Sequence, residues 1–182
     1  MIRIAKKNKD ENKDNKKQKS TFLYNLLMFL LKYLIIAIAF FILLNYIFGI
    51  SRNQSLNMQP SLEDGDLLFY FRIVNDYAAN QIIVIHYQGK EMPERIIAVA
   101  GDTVDIGKDG LTVNGALVQE DKVYTDTYQF EEGVTFPLTV AQGQVFVLGD
   151  NRPQATDSRI FGCISVEDID GKVVGLFRRR NF

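Results

Sequence analysis

An uncharged apolar run near the N-terminus constrains this chain more than any other feature of its sequence. The eighteen residues from Tyr33 to Ile50 contain no charged side chain. At about 1.5 Å per residue, a helix of this length spans about 27 Å, close to the thickness of a bilayer's hydrocarbon core. Leu26 to Leu31 can extend the span, with the ammonium group of Lys32 reaching toward the interface. The run therefore predicts a transmembrane anchor over residues 23–51.

The charges on either side of this anchor predict its direction. Residues 1–20 contain eight Lys or Arg against three Asp or Glu, whereas residues 52–182 contain twelve basic against nineteen acidic side chains. Because basic segments tend to stay in the cytoplasm, we expect residues 1–22 to form a cytoplasmic tail. Residues 52–182 then lie on the outer face of the cytoplasmic membrane, in a single-pass protein. The alternative is a cleaved signal peptide, but its apolar region is normally only about 7 to 15 residues long.

Composition excludes several classes of function for residues 52–182. A net acidic domain lacks the basic surface that neutralises phosphates, so no nucleic-acid partner is expected. His86 is the single histidine and Cys163 the single cysteine, which excludes a multi-histidine site, a cysteine cluster and an intrachain disulfide. We therefore expect no metal and no cofactor, with His86 in a structural role on a strand and Cys163 a small buried hydrophobe.

The pattern of residues 52–182 predicts a mostly β domain. Short runs rich in Ile, Val, Leu, Phe and Tyr, separated by turn residues, indicate strands at 67–73, 81–87, 94–99, 144–148 and 172–177. The dipeptide Asn114-Gly115 between two short apolar runs is typical of a two-residue β-hairpin. Apart from the anchor, only a short helical turn near 166–169 is expected. The domain is therefore predicted to be a barrel or a pair of sheets.

Three segments of this domain resemble the signature boxes of type I signal peptidases. SLNMQPSL at 55–62 is similar to the family's Ser-Met-x-Pro-Thr-Leu, and ERIIAVAGD at 94–102 to Lys-Arg-x-x-Gly-x-Pro-Gly-Asp. GDNR at 149–152, followed by DSRIFG at 157–162, is similar to Gly-Asp-Asn-Arg and Asp-Ser-Arg-x-x-Gly. Their order behind an N-terminal anchor makes the resemblance strong. It implies a signal-peptidase-like all-β core with a small β cap, formed by a hairpin within 107–143.

The resemblance also identifies the positions of a catalytic dyad. Family members use a Ser directly before Met in the first box and a Lys directly before Arg in the second, but Asn57 and Glu94 stand there. Ala155 stands where a Ser usually helps to hold the lysine, whereas Ser55 keeps a hydroxyl that can serve the oxyanion hole. An Asn carboxamide is no comparable nucleophile, so we expect the dyad to be inactive. Without the surrounding boxes, Asn57 would be interpreted as a turn residue and Glu94 as an exposed acid.

By resemblance, a substrate peptide would add as a strand between residues 53–58 and 91–94. We expect it to contact Ser55, Met58, Met92 and Pro93, within a structural frame formed by Ala155, Asp150, Asp157 and Arg159. The Asn57 amide should donate to the Glu94 carboxylate at about 2.7 to 2.9 Å, and Arg95 should pair on the opposite face with an acid of the third box. The charge of Glu94 should disfavour acidic guests and favour basic or amide ones.

Two functions remain open at this point. The resemblance implies a non-catalytic accessory protein or chaperone in the assembly of surface pili or secreted proteins. Its partners would be the bilayer and exported or pilin polypeptides with signal-peptide-like segments. The alternative is a peptidase that cleaves signal peptides, in which Glu94 activates water and Asn57 polarises the carbonyl group.

Overall fold

A computed structural model describes residues 2–74, 76–120 and 123–178, with side chains from residue 21 onward. The charged side chains of the predicted basic tail therefore lie outside the described residues. Helix α1 extends over Ile2–Ile47, and an eighteen-residue window within its part from Thr21 to Ile47 has a mean hydropathy of 2.8. Within the described ranges, this is the one helix long and apolar enough to cross a membrane. The contacts between residues divide the chain into two compact units, one that ends at Asn45 and one that begins at Tyr46.

Among its described residues, the second unit contains eleven strands and two short helical segments. The strands are β1 Phe48–Arg52, β2 Leu67–Phe71, β3 Ile82–Tyr87, β4 Lys90–Val99, β5 Thr103–Gly107, β6 Gly110–Val113, β7 Ala116–Leu117, β8 Leu138–Thr139, β9 Gln144–Leu148, β10 Ile164–Ser165 and β11 Ile169–Phe177. The helical segments are α2, Ser158–Phe161, and a 3₁₀ turn, Val166–Asp168. The predicted fold class is confirmed, since antiparallel strands dominate behind one N-terminal apolar helix.

Seven of these strands form one antiparallel sheet in the order β1-β2-β11-β3-β4-β9-β10. Its first strand, β1, occupies residues 48–52, which the sequence assigned largely to the anchor. The helix gives way to a strand here because alternate residues of β1 are buried against β2. A Cβ on Gly49 would lie only 2.2 Å from the ring of Tyr70, so the close approach of β1 depends on that glycine.

The remaining four strands form a smaller sheet in the order β7-β6-β5-β8. Asn114 and Gly115 have φ values of 54° and 79° at the turn between β6 and β7, so the predicted hairpin is confirmed. This sheet begins at Thr103, before the start of the predicted cap range. Its buried residues Val104, Ile106 and Leu111 share a core with Phe146 of β9. The smaller sheet is therefore fixed to the larger one by apolar packing.

A separate core lies beneath the segment that the first signature box occupies. Met58, Leu62, Leu68, Tyr70 and Val84 form this cluster, and Met58 has no exposed surface. Burying a side chain of this size stabilises a fold by about 1.5 to 3 kcal/mol. Packing of Met58 therefore fixes the position of its neighbour Asn57 over the sheet.

Candidate active site

Asn57 and Glu94 lie in direct contact, although 37 residues separate them in the sequence. The side-chain Nδ2 of Asn57 donates to Oε1 of Glu94 at 2.7 Å, which confirms the expected hydrogen bond. The same nitrogen donates to the main-chain oxygen of Thr156 at 3.2 Å, an anchor that the sequence did not reveal. Both hydrogens of the Asn57 amide group are therefore engaged by acceptors.

A tight turn presents Asn57 to this contact. Oδ1 of Asn53 accepts from the main-chain nitrogen of Ser55 at 3.0 Å, and Oγ of Ser55 accepts from that of Asn57 at 3.0 Å. The main-chain nitrogen of Leu62 then donates to the oxygen of Met58 at 2.9 Å, which closes the next turn. Short polar side chains that bond the backbone two residues onward are typical of such turns. The Ser55 hydroxyl thus occupies the main-chain N–H of Asn57.

The main-chain carbonyl group of Asn57 is hydrogen-bonded to a residue of the third box. The main-chain nitrogen of Asn151 donates to this oxygen at 2.7 Å. A Cβ on Gly149 would lie 2.6 Å from the same oxygen and 2.5 Å from Cβ of Ala155, so no larger residue fits there. In the sequence, GDNR stands out only as part of a signature box, which did not predict this role of Gly149. The signal was a glycine at the end of a buried strand, where backbones can approach closely.

Glu94 is completely buried, with 0% of its surface exposed. Its second carboxyl oxygen, Oε2, has no hydrogen-bond partner among the described residues. Burial raises the pKa of Glu94 well above its ordinary value, and the carboxylates of Asp157 and Asp150 raise it further, against the lowering effect of the Asn57 hydrogen bond. The expectation that Glu94 presents its charge to a guest peptide is wrong, because β4 buries the side chain behind Asn57.

Two buried ion pairs surround this centre. Arg95 donates from Nε and Nη2 to the two carboxyl oxygens of Asp150 at 2.7 and 2.6 Å, which confirms its predicted partner in the third box. This hydrogen bonding to Asp150 raises the pKa of Arg95. Arg159 likewise donates from Nε and Nη2 to Asp157 at 2.9 and 2.8 Å. Asp157 also caps helix α2, because its Oδ1 accepts from the main-chain nitrogen of Arg159 at 3.1 Å.

A cleft of about 670 Å³ opens beside Asn57, between residues 51–57 and the β3–β4 hairpin at 87–92. Of the predicted peptide contacts, Ser55 and Met92 line it. Met58 does not, because it fills the core below. Pro93 does not line it either, because it is buried in β4 opposite Val84. Ala155, in the predicted frame, is also buried.

The described residues offer no arrangement of metal ligands at this site. Across the described ranges, no group of three or more His, Cys, Asp or Glu side chains could hold a metal ion. His86 lies on β3 with Nδ1 at 3.7 Å from Oδ2 of Asp170, on a partly exposed part of the sheet. Cys163 is partly buried and packs against the core shared by the two sheets.

Comparison with known proteins identifies the family to which this fold and these segments belong. The model of the family "Signal peptidase, peptidase S26" matches residues 26–177. A signal peptidase I of Bacillus caldolyticus is 36% identical over 135 residues, which are 66% of this chain and 74% of the relative. A signal peptidase I of Bacillus licheniformis is 32% identical over 154 residues, 78% of this chain and 83% of the relative. This chain therefore belongs to the type I signal peptidase family, as its three boxes indicated.

Similarity to solved structures is illustrated by one example. It is the crystal structure of a signal peptidase I from Enterococcus faecalis V583, with 29% sequence identity and a TM-score of 0.46. The similarity covers 54% of this chain and 97% of that one.

Proposed function

We propose that this protein is a membrane-anchored member of the signal peptidase family that binds segments of exported polypeptides without cleaving them. The observation that carries the proposal is the hydrogen bond between Asn57 and the fully buried Glu94. These residues stand where the family resemblance puts the nucleophile and the base. Here they engage each other, and neither offers a hydroxyl or a neutral amine.

The chemistry of Asn57 supports the absence of cleavage. A carboxamide nitrogen has its lone pair delocalised, and both of its hydrogens are already donated to Glu94 and Thr156. Removing the nucleophile of a serine protease lowers turnover by a factor of about 10⁶. Residual binding and oxyanion stabilisation leave only a small fraction of an active enzyme's rate.

The peptidase alternative, in which Glu94 activates a water molecule, has less support. A general base must come within hydrogen-bond reach of the water that attacks the substrate. Glu94 has no exposed surface and does not line the cleft. The main-chain N–H of Asn57, a candidate donor to a developing oxyanion, is donated to the Ser55 hydroxyl at 3.0 Å. Both features argue against hydrolysis in this arrangement.

The cleft supports the binding part of the proposal. It lies between residues 51–57, which comprise the end of β1 and the turn that follows it, and the start of β4, so that an extended guest could lie between them. Strand addition draws affinity from main-chain hydrogen bonds, so it does not require the dyad side chains. Pro93 removes one donor from β4. We therefore expect affinity in the micromolar range, suited to transient binding.

The partners and location follow from this proposal. The apolar helix would anchor the protein in the cytoplasmic membrane, with the basic tail inside and the β domain outside. The guests would be exported polypeptides with signal-peptide-like segments, and pilin subunits are the specific class that we propose. The protein would act as an accessory factor or chaperone during their assembly at the surface.

The test uses the full-length chain in lipid nanodiscs and two fluorescent peptides, one from a pilin signal region and one from a generic signal peptide. We expect micromolar binding by anisotropy and no cleavage detectable by mass spectrometry. Asn57→Ser with Glu94→Lys should restore at most weak cleavage, and adding Ala155→Ser should increase it. Cleavage by the unmodified chain that Glu94→Gln abolishes would instead establish the peptidase. Equal binding of both peptides would remove the pilin assignment.

A further inference from the structure

The Asn57 carboxamide has one fixed orientation. Its Nδ2 faces Oε1 of Glu94 at 2.7 Å and the main-chain oxygen of Thr156 at 3.2 Å. Turning the amide over would bring Oδ1 against these two oxygens. A main-chain oxygen can only accept, so Thr156 requires the nitrogen whether or not Glu94 carries a proton. The amide oxygen is therefore held on the side away from Glu94.

That oxygen is available to a ligand. Among the residues that the structure describes, none donates a hydrogen bond to Oδ1 of Asn57, and Oδ1 is not one of the buried atoms without a partner. Asn57 as a whole is only 8% exposed, yet it lines the cleft. The exposed part of this side chain thus presents an acceptor to whatever occupies the cleft.

Ser55 provides the complementary group in the same turn. Its Oγ accepts from the main-chain nitrogen of Asn57 at 3.0 Å, which leaves the hydroxyl hydrogen free to point elsewhere. Within the described part of the chain, this hydroxyl donates to no protein group, and Ser55 also lines the cleft. One wall of the cleft therefore offers a donor and an acceptor from positions two residues apart.

We propose that Asn57 and Ser55 together recognise the main-chain N–H and C=O of one guest residue, which point to the same side of an extended chain, and this inference rests on the binding function proposed above. Oδ1 of Asn57 accepts from the guest's main-chain N–H, and the Ser55 hydroxyl donates to a guest carbonyl oxygen. Asn57 thereby determines specificity, because it selects a guest with a main-chain N–H at this point. Proline, which lacks that N–H, and an ester, which places an oxygen there, are disfavoured.

The experiment replaces single main-chain N–H groups of the guest by oxygen. The probe is a synthetic twelve-residue peptide with a central Ala-x-Ala motif, the small-residue pattern that precedes signal-peptide cleavage sites. Ester analogues carry the replacement at each central bond in turn, and affinities are measured with the full-length chain in nanodiscs. We expect the ester analogue at one position to bind about 3- to 10-fold more weakly than the amide peptide, which corresponds to the loss of one hydrogen bond. Esters at bonds whose N–H points away from the protein serve as matched controls.

Two variants assign the effect to Asn57. Asn57→Ser removes the amide oxygen and with it the hydrogen bond to the guest's N–H. The ratio of the affinities for the amide and the sensitive ester should therefore fall to within about 2-fold. The control Gln154→Ala removes an exposed amide that does not line the cleft, so this variant should retain the discrimination. Because the ester scan of the unmodified chain needs no variant, the proposal stays testable even if Asn57→Ser does not fold.

The outcomes separate this inference from the function on which it rests. Equal binding of the amide and every ester by the unmodified chain would overturn the inference and leave peptide binding intact. Discrimination that survives in a folded Asn57→Ser variant would also overturn it, since another acceptor would be responsible. Failure to bind any of these peptides would overturn the proposed function and the inference together.

Discussion

Replacing Glu94 by Gln is expected to stabilise the protein, by an amount that increases with pH. Gln keeps an oxygen to accept from Asn57 and puts an uncharged group where Oε2 has no partner among the described residues. The variant therefore resembles the protonated carboxyl group. Leaving a buried polar group without a partner costs about 1 to 3 kcal/mol, and more when the group is charged.

The pH dependence follows from the direction of the pKa shift. Burial raises the pKa of Glu94 in the folded state well above 4.5. Between the unfolded and folded pKa values, the native state binds more protons than the unfolded chain, so wild-type stability falls as pH rises. The slope approaches about 1.4 kcal/mol per pH unit in that window and vanishes above the folded-state pKa. Gln at this position does not titrate, so the variant lacks this loss.

The assay is urea unfolding of the full-length chain in nanodiscs between pH 4.5 and 8. Near-ultraviolet circular dichroism reports on tyrosine packing in the β domain, since the chain contains no tryptophan. We expect Glu94→Gln to be within about 0.5 kcal/mol of wild type at pH 4.5 and about 1 to 3 kcal/mol more stable at pH 8. The exposed Glu131→Gln is the control and should show no such trend. A variant destabilised at every pH, or a difference independent of pH, would refute the reasoning.

Three other predictions follow from the contacts around the site and from the charges beside the anchor. In the same urea assay, Gly149→Ala should destabilise the protein by about 1 to 3 kcal/mol, because the added Cβ has no room. Gly107→Ala is the control: nothing lies within 4 Å of the added Cβ, so its stability should stay within about 0.5 kcal/mol of wild type. Asp150→Asn should lower the free energy of unfolding by about 3 to 5 kcal/mol, because it leaves the buried charge of Arg95 unpaired. Glu63→Gln breaks an exposed ion pair and should have a much smaller effect, so equal effects of the two variants would contradict this prediction. Protease added to intact protoplasts should digest the β domain and spare the tail, and a protected domain would disprove the orientation.

Local patterns predicted the elements of the fold well. The Asn114-Gly115 turn and the alternating apolar runs carry their own structural signal, because the first needs positive φ and the second a buried face. The start of β1 had no such signal. Phe48 and Ile50 are apolar whether they lie in a bilayer or on a strand, and the deciding contact, Gly49 against Tyr70, joins positions far apart in sequence.

The candidate site was likewise predicted only in part from the sequence. The family's boxes predicted that Asn57 would contact Glu94 and that Arg95 would pair with an acid of the third box, because the positions of these residues are fixed by motif. They did not predict the complete burial of Glu94, the Thr156 anchor or the inward packing of Met58. These features depend on how closely the third box packs against the turn at 55–62, and no residue type in either segment specifies the distance between the two segments.

The hydrogen bond between Asn57 and the buried Glu94 couples the two positions that the family resemblance assigns to the dyad. A serine at position 57 would be too short to replace the amide that now reaches both Glu94 and Thr156, so the carboxyl group would lose its only hydrogen-bond donor among the described residues. A lysine at position 94 would bring an amine against the N–H groups of Asn57. Each single substitution, Asn57→Ser or Glu94→Lys, therefore leaves a buried polar group unpaired, a penalty of about 1 to 3 kcal/mol. Substitutions of residues in direct contact are expected to be non-additive, so a test of Ser–Lys chemistry at these positions requires both changes at once. Failure of either single variant to cleave would say nothing about catalysis, and only the combined variants test it.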